Sequence, residues 1–170
     1  MSKYFEGIKE STQITIDGKD KYIYNGITDW LYEEEVLYQT NALWWSPDSL
    51  KLAYIKFNDT LVEYYSFPIY DGSQYGSFSQ IRYPKPDTKN PTANVYIYNT
   101  EVGDTVKLQL PDSLIPEFGE YYIWSLKWLR DDRIIIVYVN REQNRAKTVI
   151  NDATTGNILL AKVVFKIQYI

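Results

Sequence analysis

The chain contains no cysteine and no histidine. The first absence excludes a disulfide framework, a thiolate nucleophile and a zinc–thiolate site. The second excludes an imidazole base, and with it a Ser-His-Asp triad, a Cys-His dyad or an HExxH motif built from this chain alone. Basic residues are scattered rather than run together, and the net charge is −4, so no nucleic-acid partner is expected. No apolar stretch reaches the length of a membrane span, and residues 1–12 lack the apolar segment of a signal peptide. Read alone, the chain is expected to be soluble.

Strand-forming residues are abundant. The 170 residues include 17 Tyr, 5 Trp and 6 Phe, and 45% are apolar. Aromatic and β-branched side chains suit a pleated, half-buried surface. This much apolar content excludes disorder, and the length suits one domain with a core.

The pattern repeats. Trp45 is followed by Ser46, Pro47 and Asp48, then by the apolar run Leu52-Ala53-Tyr54. Trp128 is followed by Leu129, Arg130 and Asp131, then by Ile135-Ile136-Val137. Both copies read as strand, polar turn and strand. A second pair of matches places Asn99 before Gly103 and Asp152 before Gly156 at one spacing, each within a hairpin loop whose glycine is able to take positive φ. Each unit is thus four short antiparallel strands, one over about residues 43–110 with an interruption at 58–93, the other over about 122–164. Upstream, Gln13–Ile16 and Lys21–Tyr24 flank Asp17-Gly18 and read as the last two strands of a preceding unit. The expected fold is all-β: a partial β-propeller of about two and a half four-stranded antiparallel blades. The competing reading is a single β-sandwich with look-alike hairpins. So few blades cannot close a ring, so residues 1–170 are expected to be a piece of a larger propeller with bare blade faces.

Residues 28–38 break the strand pattern. Asp29 is placed to cap a short helix that begins Trp30-Leu31-Tyr32-Glu33 and carries the run Glu33-Glu34-Glu35. An acidic run is ordinarily a solvated helix start. This one is framed by Trp30, Leu31, Tyr32 and by Val36, Leu37, Tyr38. Helical neighbours are about 100° apart, so two of the three carboxylates can converge. Two converging carboxylates repel each other and make a receptor for an ammonium group.

Other signals are weaker. Residues 58–93 hold Pro68, Asp71-Gly72, Gly76 and Tyr83-Pro84-Lys85-Pro86, and read as an irregular excursion. Asn58-Asp59-Thr60 is an N-glycosylation sequon. Asp17-Gly18, Asn25-Gly26 and Asp131-Asp132 read as turns. With oxygen ligands only and no calcium-loop pattern, no metal or other cofactor is expected.

The run Ile23-Tyr-Asn-Gly-Ile-Thr-Asp-Trp-Leu-Tyr-Glu-Glu-Glu-Val36, followed by Ala42-Leu-Trp-Trp-Ser-Pro-Asp48 and Phe57-Asn-Asp-Thr60, resembles the propeller of the dipeptidyl peptidase IV family. Further matches are Glu63-Tyr-Tyr-Ser66, Tyr83-Pro-Lys85, Asn90-Pro-Thr92, Gln143-Asn144 and Asp152-Ala-Thr-Thr-Gly156, so the likeness covers roughly residues 20–156. The resemblance implies a serine exopeptidase in which a β-propeller is coupled to an α/β-hydrolase domain, the latter absent here. It implies that Glu34 and Glu35 bind the free N-terminal ammonium of a peptide, so that an N-terminal Xaa-Pro or Xaa-Ala dipeptide is removed. It also implies a possible homodimer of the parent, and a parent that is secreted or anchored on the outer face of the plasma membrane, in keeping with the Asn58 sequon. The same family includes non-catalytic members that partner membrane proteins such as ion channels, and Asp152-Ala-Thr-Thr-Gly156 is somewhat similar to that branch. A free-standing β module using its aromatics as a binding face is the third reading. No peptidase activity is expected of this chain alone.

Overall fold

The computed structural model describes residues 11–166. Two four-position antiparallel sheets face each other. The first is built from β1 (Ile23–Asn25), β2 (Leu43–Trp45), β3 (Lys51–Asn58), β6 (Thr92–Asn99) and β7 (Asp104–Lys107). The second runs β8 (Tyr121–Arg130), β9 (Arg133–Asn140), β10 (Arg145–Asp152) and β11 (Ile158–Lys166) in simple order. A two-stranded hairpin, β4 (Tyr64–Ile69) with β5 (Ser77–Arg82), stands apart, and a short helix α1 (Leu114–Phe118) joins the sheets.

Alternation sets the core. Ala93, Val95 and Ile97 of β6 are buried, as are Ile134, Ile136 and Tyr138 of β9, while their sequence neighbours point the other way. These residues belong to one apolar cluster shared by both sheets. The sheets therefore stack as neighbouring propeller blades, and the partial all-β propeller is the fold.

The repeated landmarks meet in space. Trp128 Nε1 donates to the Trp44 carbonyl at 3.0 Å, and the Asp48 N–H donates to the Asp131 carboxylate at 3.0 Å. Equivalent turns of adjacent blades thus bond each other. The two glycine turns also match: Gly103 N–H donates to Asn99 O at 2.8 Å and Gly156 N–H to Asp152 O at 2.9 Å, with φ of 75° and 76°. Asp131-Asp132 is the tight turn between β8 and β9.

Three expectations need correction. The half blade upstream is not formed among the described residues. Gln13–Ile16 lies in no strand, and Lys21–Tyr24 divides into a turn and the start of β1, which joins the first blade along β3. An isolated hairpin has no sheet to extend, whereas β3 offers an unfilled edge. Asp17-Gly18 is therefore no hairpin tip. Instead the Asp17 carboxylate accepts from Asn25 Nδ2 at 2.8 Å and pairs with Lys56, which holds its pKa below the usual value. Residues 58–93 are not irregular throughout but contain β4 and β5. Pro68 disguised the strand: it sits opposite Phe78 in a two-stranded sheet, where both strands are edges and a missing N–H is tolerated.

Candidate functional site

The Glu run sits on an excursion that interrupts the innermost strand of the first blade. β1 and β2 lie end to end along the same edge of β3, with Asn25 opposite Lys56 and Leu43 opposite Tyr54. Only Ile55 separates the two registers. Its carbonyl accepts from Gly26 N–H at 2.9 Å and its N–H donates to Ala42 O at 3.1 Å. Residues 26–42 are thus extruded opposite one residue. A short ladder closes the neck: Ala42 N–H donates to Gly26 O at 2.9 Å, Ile27 bridges Asn41, and Thr28 Oγ1 donates to Gln39 O at 2.7 Å. Gly26 opens this neck at φ 71° with the Leu43 side chain where a Cβ would go, so its Asn-Gly pair is an exit from the sheet rather than a hairpin turn. Such a closed, self-packed loop is an Ω-loop.

Within the loop the cap forms as its sequence indicates. The Asp29 carboxylate accepts from the Tyr32 N–H at 2.8 Å, and the Asp29 carbonyl accepts from Glu33 N–H at 2.9 Å. The helix then widens. Leu37 N–H reaches back to Tyr32 O at 2.8 Å, one residue further than in an α-helix, and residues Tyr32–Val36 form a π turn. A wider turn carries more residues per revolution, so successive side chains are closer in direction than the roughly 100° of an α-helix.

Tyr32 anchors the turn. It is fully buried, its ring lies 4.6 Å from that of Phe57, and its hydroxyl accepts from the Ile123 N–H at 3.1 Å. Ile123 stands beside a bulge in β8, where the pairing with β9 shifts between Ile123 and Ser125. The bulge frees that N–H from the ladder, and the tyrosine from the other blade takes it. Burial drives the Tyr32 phenol far above its ordinary pKa, so it stays a neutral hydrogen-bonding group. Val36, on the same turn, is also buried.

The acids face outward. Glu33 is half-buried, whereas Glu34 and Glu35 are exposed. Neither Glu34 nor Glu35 takes part in an ion pair among the described residues, where the paired acids are Asp17, Asp48, Glu117, Glu120 and Asp132. No basic residue occupies the last turn. Glu35 lines a shallow cleft whose other walls include Trp30, Tyr83, Lys85, Tyr122 and Arg141; Glu34 does not contribute to that wall. Trp30 packs against Tyr83 with ring centroids 4.3 Å apart and planes tilted by 55°, which ties the excursion to the segment after β5. Arg141 pairs with Glu120, which also meets Lys89 at 3.1 Å, and donates to Thr88 O at 2.7 Å. Burial opposes ionisation of Glu120, but these two cations outweigh it and its pKa is lowered. Asn58 lies far along β3 at its exposed end, its side-chain oxygen accepting from Thr60 N–H at 2.9 Å.

The sequence pointed to the run and its cap but not to the split strand or the Tyr32 contact with β8. It named Lys85 only within an irregular segment and a family match and did not name Arg141, and both reach the Glu35 cleft from remote segments. No local signal could have found them, since each is a single common residue whose relevance depends on packing.

Residues 3–162 match the family described as "Dipeptidyl peptidase IV (DPP IV) N-terminal region", wider than the span legible by eye. Inactive dipeptidyl peptidase 10 of Rattus norvegicus is 39% identical over 90% of this chain and 19% of its own length. Dipeptidyl peptidase 4 of Sus scrofa is 38% identical over 79% of this chain and 18% of its own length. Among solved structures, Porphyromonas gingivalis dipeptidyl peptidase 4 superposes with a TM-score of 0.77 at 29% identity, covering 90% of this chain and 21% of that one. This chain thus spans about a fifth of the length of the relatives it matches. On the extent of the family match and the superposition, the chain belongs to the dipeptidyl peptidase IV N-terminal region family, as a propeller segment.

Proposed function

We propose that this segment is the substrate-recognition part of a dipeptidyl peptidase IV-like serine exopeptidase, with Glu34 and Glu35 binding the N-terminal ammonium of a peptide. The observation that carries the reading is the pair of exposed acids, with no ion-pair partner among the described residues, on a turn held at its neck, at its cap and by Tyr32. Rigid placement matters because two carboxylates that fix the ammonium also fix how far the peptide enters. Cleavage by a hydrolase domain of the parent then falls after the second residue. Charge-assisted hydrogen bonds suit this task, each worth about 1.5–3 kcal/mol. Glu33, partly buried, supports the turn.

The test uses the full-length parent. Glu34→Gln or Glu35→Gln is expected to lower kcat/KM on an Xaa-Pro dipeptide substrate by about tenfold to a hundredfold. Rates within twofold of the native protein would end the reading.

A second reading is favoured by one finding. The relative named inactive dipeptidyl peptidase 10 matches a larger share of this chain than dipeptidyl peptidase 4 does, at similar identity. On that reading the parent is non-catalytic and the propeller serves a membrane-protein partner such as an ion channel. A Gly-x-Ser-x-Gly nucleophile turn elsewhere in the parent distinguishes the two. Either parent would be extracellular, glycosylated at Asn58 and able to form a homodimer; a mass shift on glycosidase treatment that Asn58→Gln abolishes checks the glycan.

A further inference from the structure

Beneath the Glu turn lie two carboxyl groups that have no business being together. Asp29 and Asp59 are 3% and 2% exposed. Asp59 follows β3, its N–H donating to Tyr22 O at 2.8 Å and its carbonyl accepting from Val62 N–H at 2.9 Å. Its carboxyl and that of Asp29 lie close enough to act on each other's ionisation. One oxygen of each group, Asp29 Oδ2 and Asp59 Oδ1, is buried with no hydrogen-bond partner. Two ionised carboxylates are acceptors only and cannot bond each other. A single proton between them satisfies both orphans, and like charges so close cannot both ionise in a dry site.

We propose that Asp29 and Asp59 hold one proton between them and act as positioning residues, pinning the cap of the Glu34–Glu35 turn to the end of β3. The proposal rests on the ammonium reading above for its functional meaning. The other oxygen of Asp29 caps the turn at Tyr32 N–H, so the pair joins cap to blade. The charges that face the pair do not replace the proton. Arg82 on β5 lies near Asp59, but its Nε donates to Lys21 O at 3.1 Å, its Nη1 donates to Val62 O, and its guanidinium stacks 3.8 Å from the Tyr64 ring. Tyr24 on β1 and Tyr32 on the turn both have phenol pKa values raised, first by burial and then by these carboxylates, so both stay neutral. Asp20 and Lys21 complete the wall around Asp59. Burial raises the pKa of Asp29, and burial together with the Asp29 charge raises that of Asp59.

The sign follows. The shared proton leaves the unfolded carboxyls near pH 4 and leaves the folded pair only well above that, toward about pH 8. Across that window the folded state binds more protons, so stability falls as pH rises and levels off above about pH 8. Unfolding midpoints of the full chain should therefore drop between about pH 5 and about pH 8.5. Asp59→Asn or Asp29→Asn supplies a permanent donor, and Asn still caps. Each variant should drop less, its advantage over native growing with pH. An advantage equal at both ends, for both variants, overturns the shared proton.

The positioning role is read separately in the full-length parent. The kcat/KM of Asp59→Asn divided by that of native, at each pH, cancels the substrate's own amine titration. The ratio should rise about threefold or more from near pH 6.5 to near pH 9, carried by KM with kcat unchanged. A flat ratio overturns the positioning role. Glu34→Gln and Glu35→Gln in the same assay test the ammonium reading by itself. If they leave KM unaltered, that reading fails while the unfolding measurement still decides the shared proton.

Discussion

The two blades start from one pattern and end differently. In the second, β8 runs along β9 without an insertion, its register shifting at Ile123/Ser125 and at Trp128/Arg130. In the first, the corresponding inner strand is cut into β1 and β2, and the Glu loop emerges from the cut. The β3–β6 connection likewise carries the β4–β5 hairpin, where the second blade has the short turn between β9 and β10. The plain blade shows what the frame requires, and the departures of the other show what has been added to it. A loop inserted at the innermost strand inherits the rigidity of the sheet on both sides of its neck, which suits a site whose task is to set a distance.

The sharpest way to break the comparison is at the contact where one blade's addition uses the other blade's irregularity. Tyr32→Ala removes a fully buried ring and should cost about 3–5 kcal/mol of stability by denaturant unfolding. Tyr32→Phe keeps the ring and strands the Ile123 N–H, costing about 1–3 kcal/mol. If Tyr32→Phe is neutral, the bulge in β8 is not held by the loop.

The twin glycine turns sharpen it next. A Cβ on Gly156 would lie 2.5 Å from the Lys107 carbonyl oxygen, because that turn packs on the neighbouring blade. A Cβ on Gly103 would meet nothing closer than 3.9 Å. Both need positive φ. Gly103→Ala should therefore cost about 1 kcal/mol and Gly156→Ala roughly 2–4 kcal/mol, by thermal or denaturant unfolding. Equal costs would mean that the outer turns are not in register across blades.

The smallest effect is expected at the tryptophan link. Trp128→Phe removes the donor to Trp44 O and should cost about 1 kcal/mol. A double-mutant cycle with Tyr32→Phe should be nearly additive, since the two bonds use separate groups at the blade junction.

Much of this was readable in advance. The Trp-to-Asp turns and the Asn99/Gly103 and Asp152/Gly156 pairs announced two equivalent blades, because turn chemistry and strand alternation act over a few residues. Asp29 announced its cap for the same reason. The β4–β5 hairpin was hidden by Pro68, which is disallowed in a paired central strand and harmless at an edge. Lys21–Tyr24 reads from the sequence as a strand of a preceding blade, because the three-residue strand Ile23–Asn25 carries no mark of which edge it joins.

By itself, then, the sequence determined the all-β class, the blade repeat, the capped acidic turn and, through its motif, the family. These follow from local preferences and from residue order, which need no neighbour in space. Only the tertiary structure decided that one inner strand is split, that a bulge in one blade receives Tyr32 from the other, and that Asp29 meets Asp59. Those outcomes depend on which hydrogen-bonding groups are left unfilled once the sheets form and on which carboxyls are then cut off from water, and neither is a property of any stretch of chain alone.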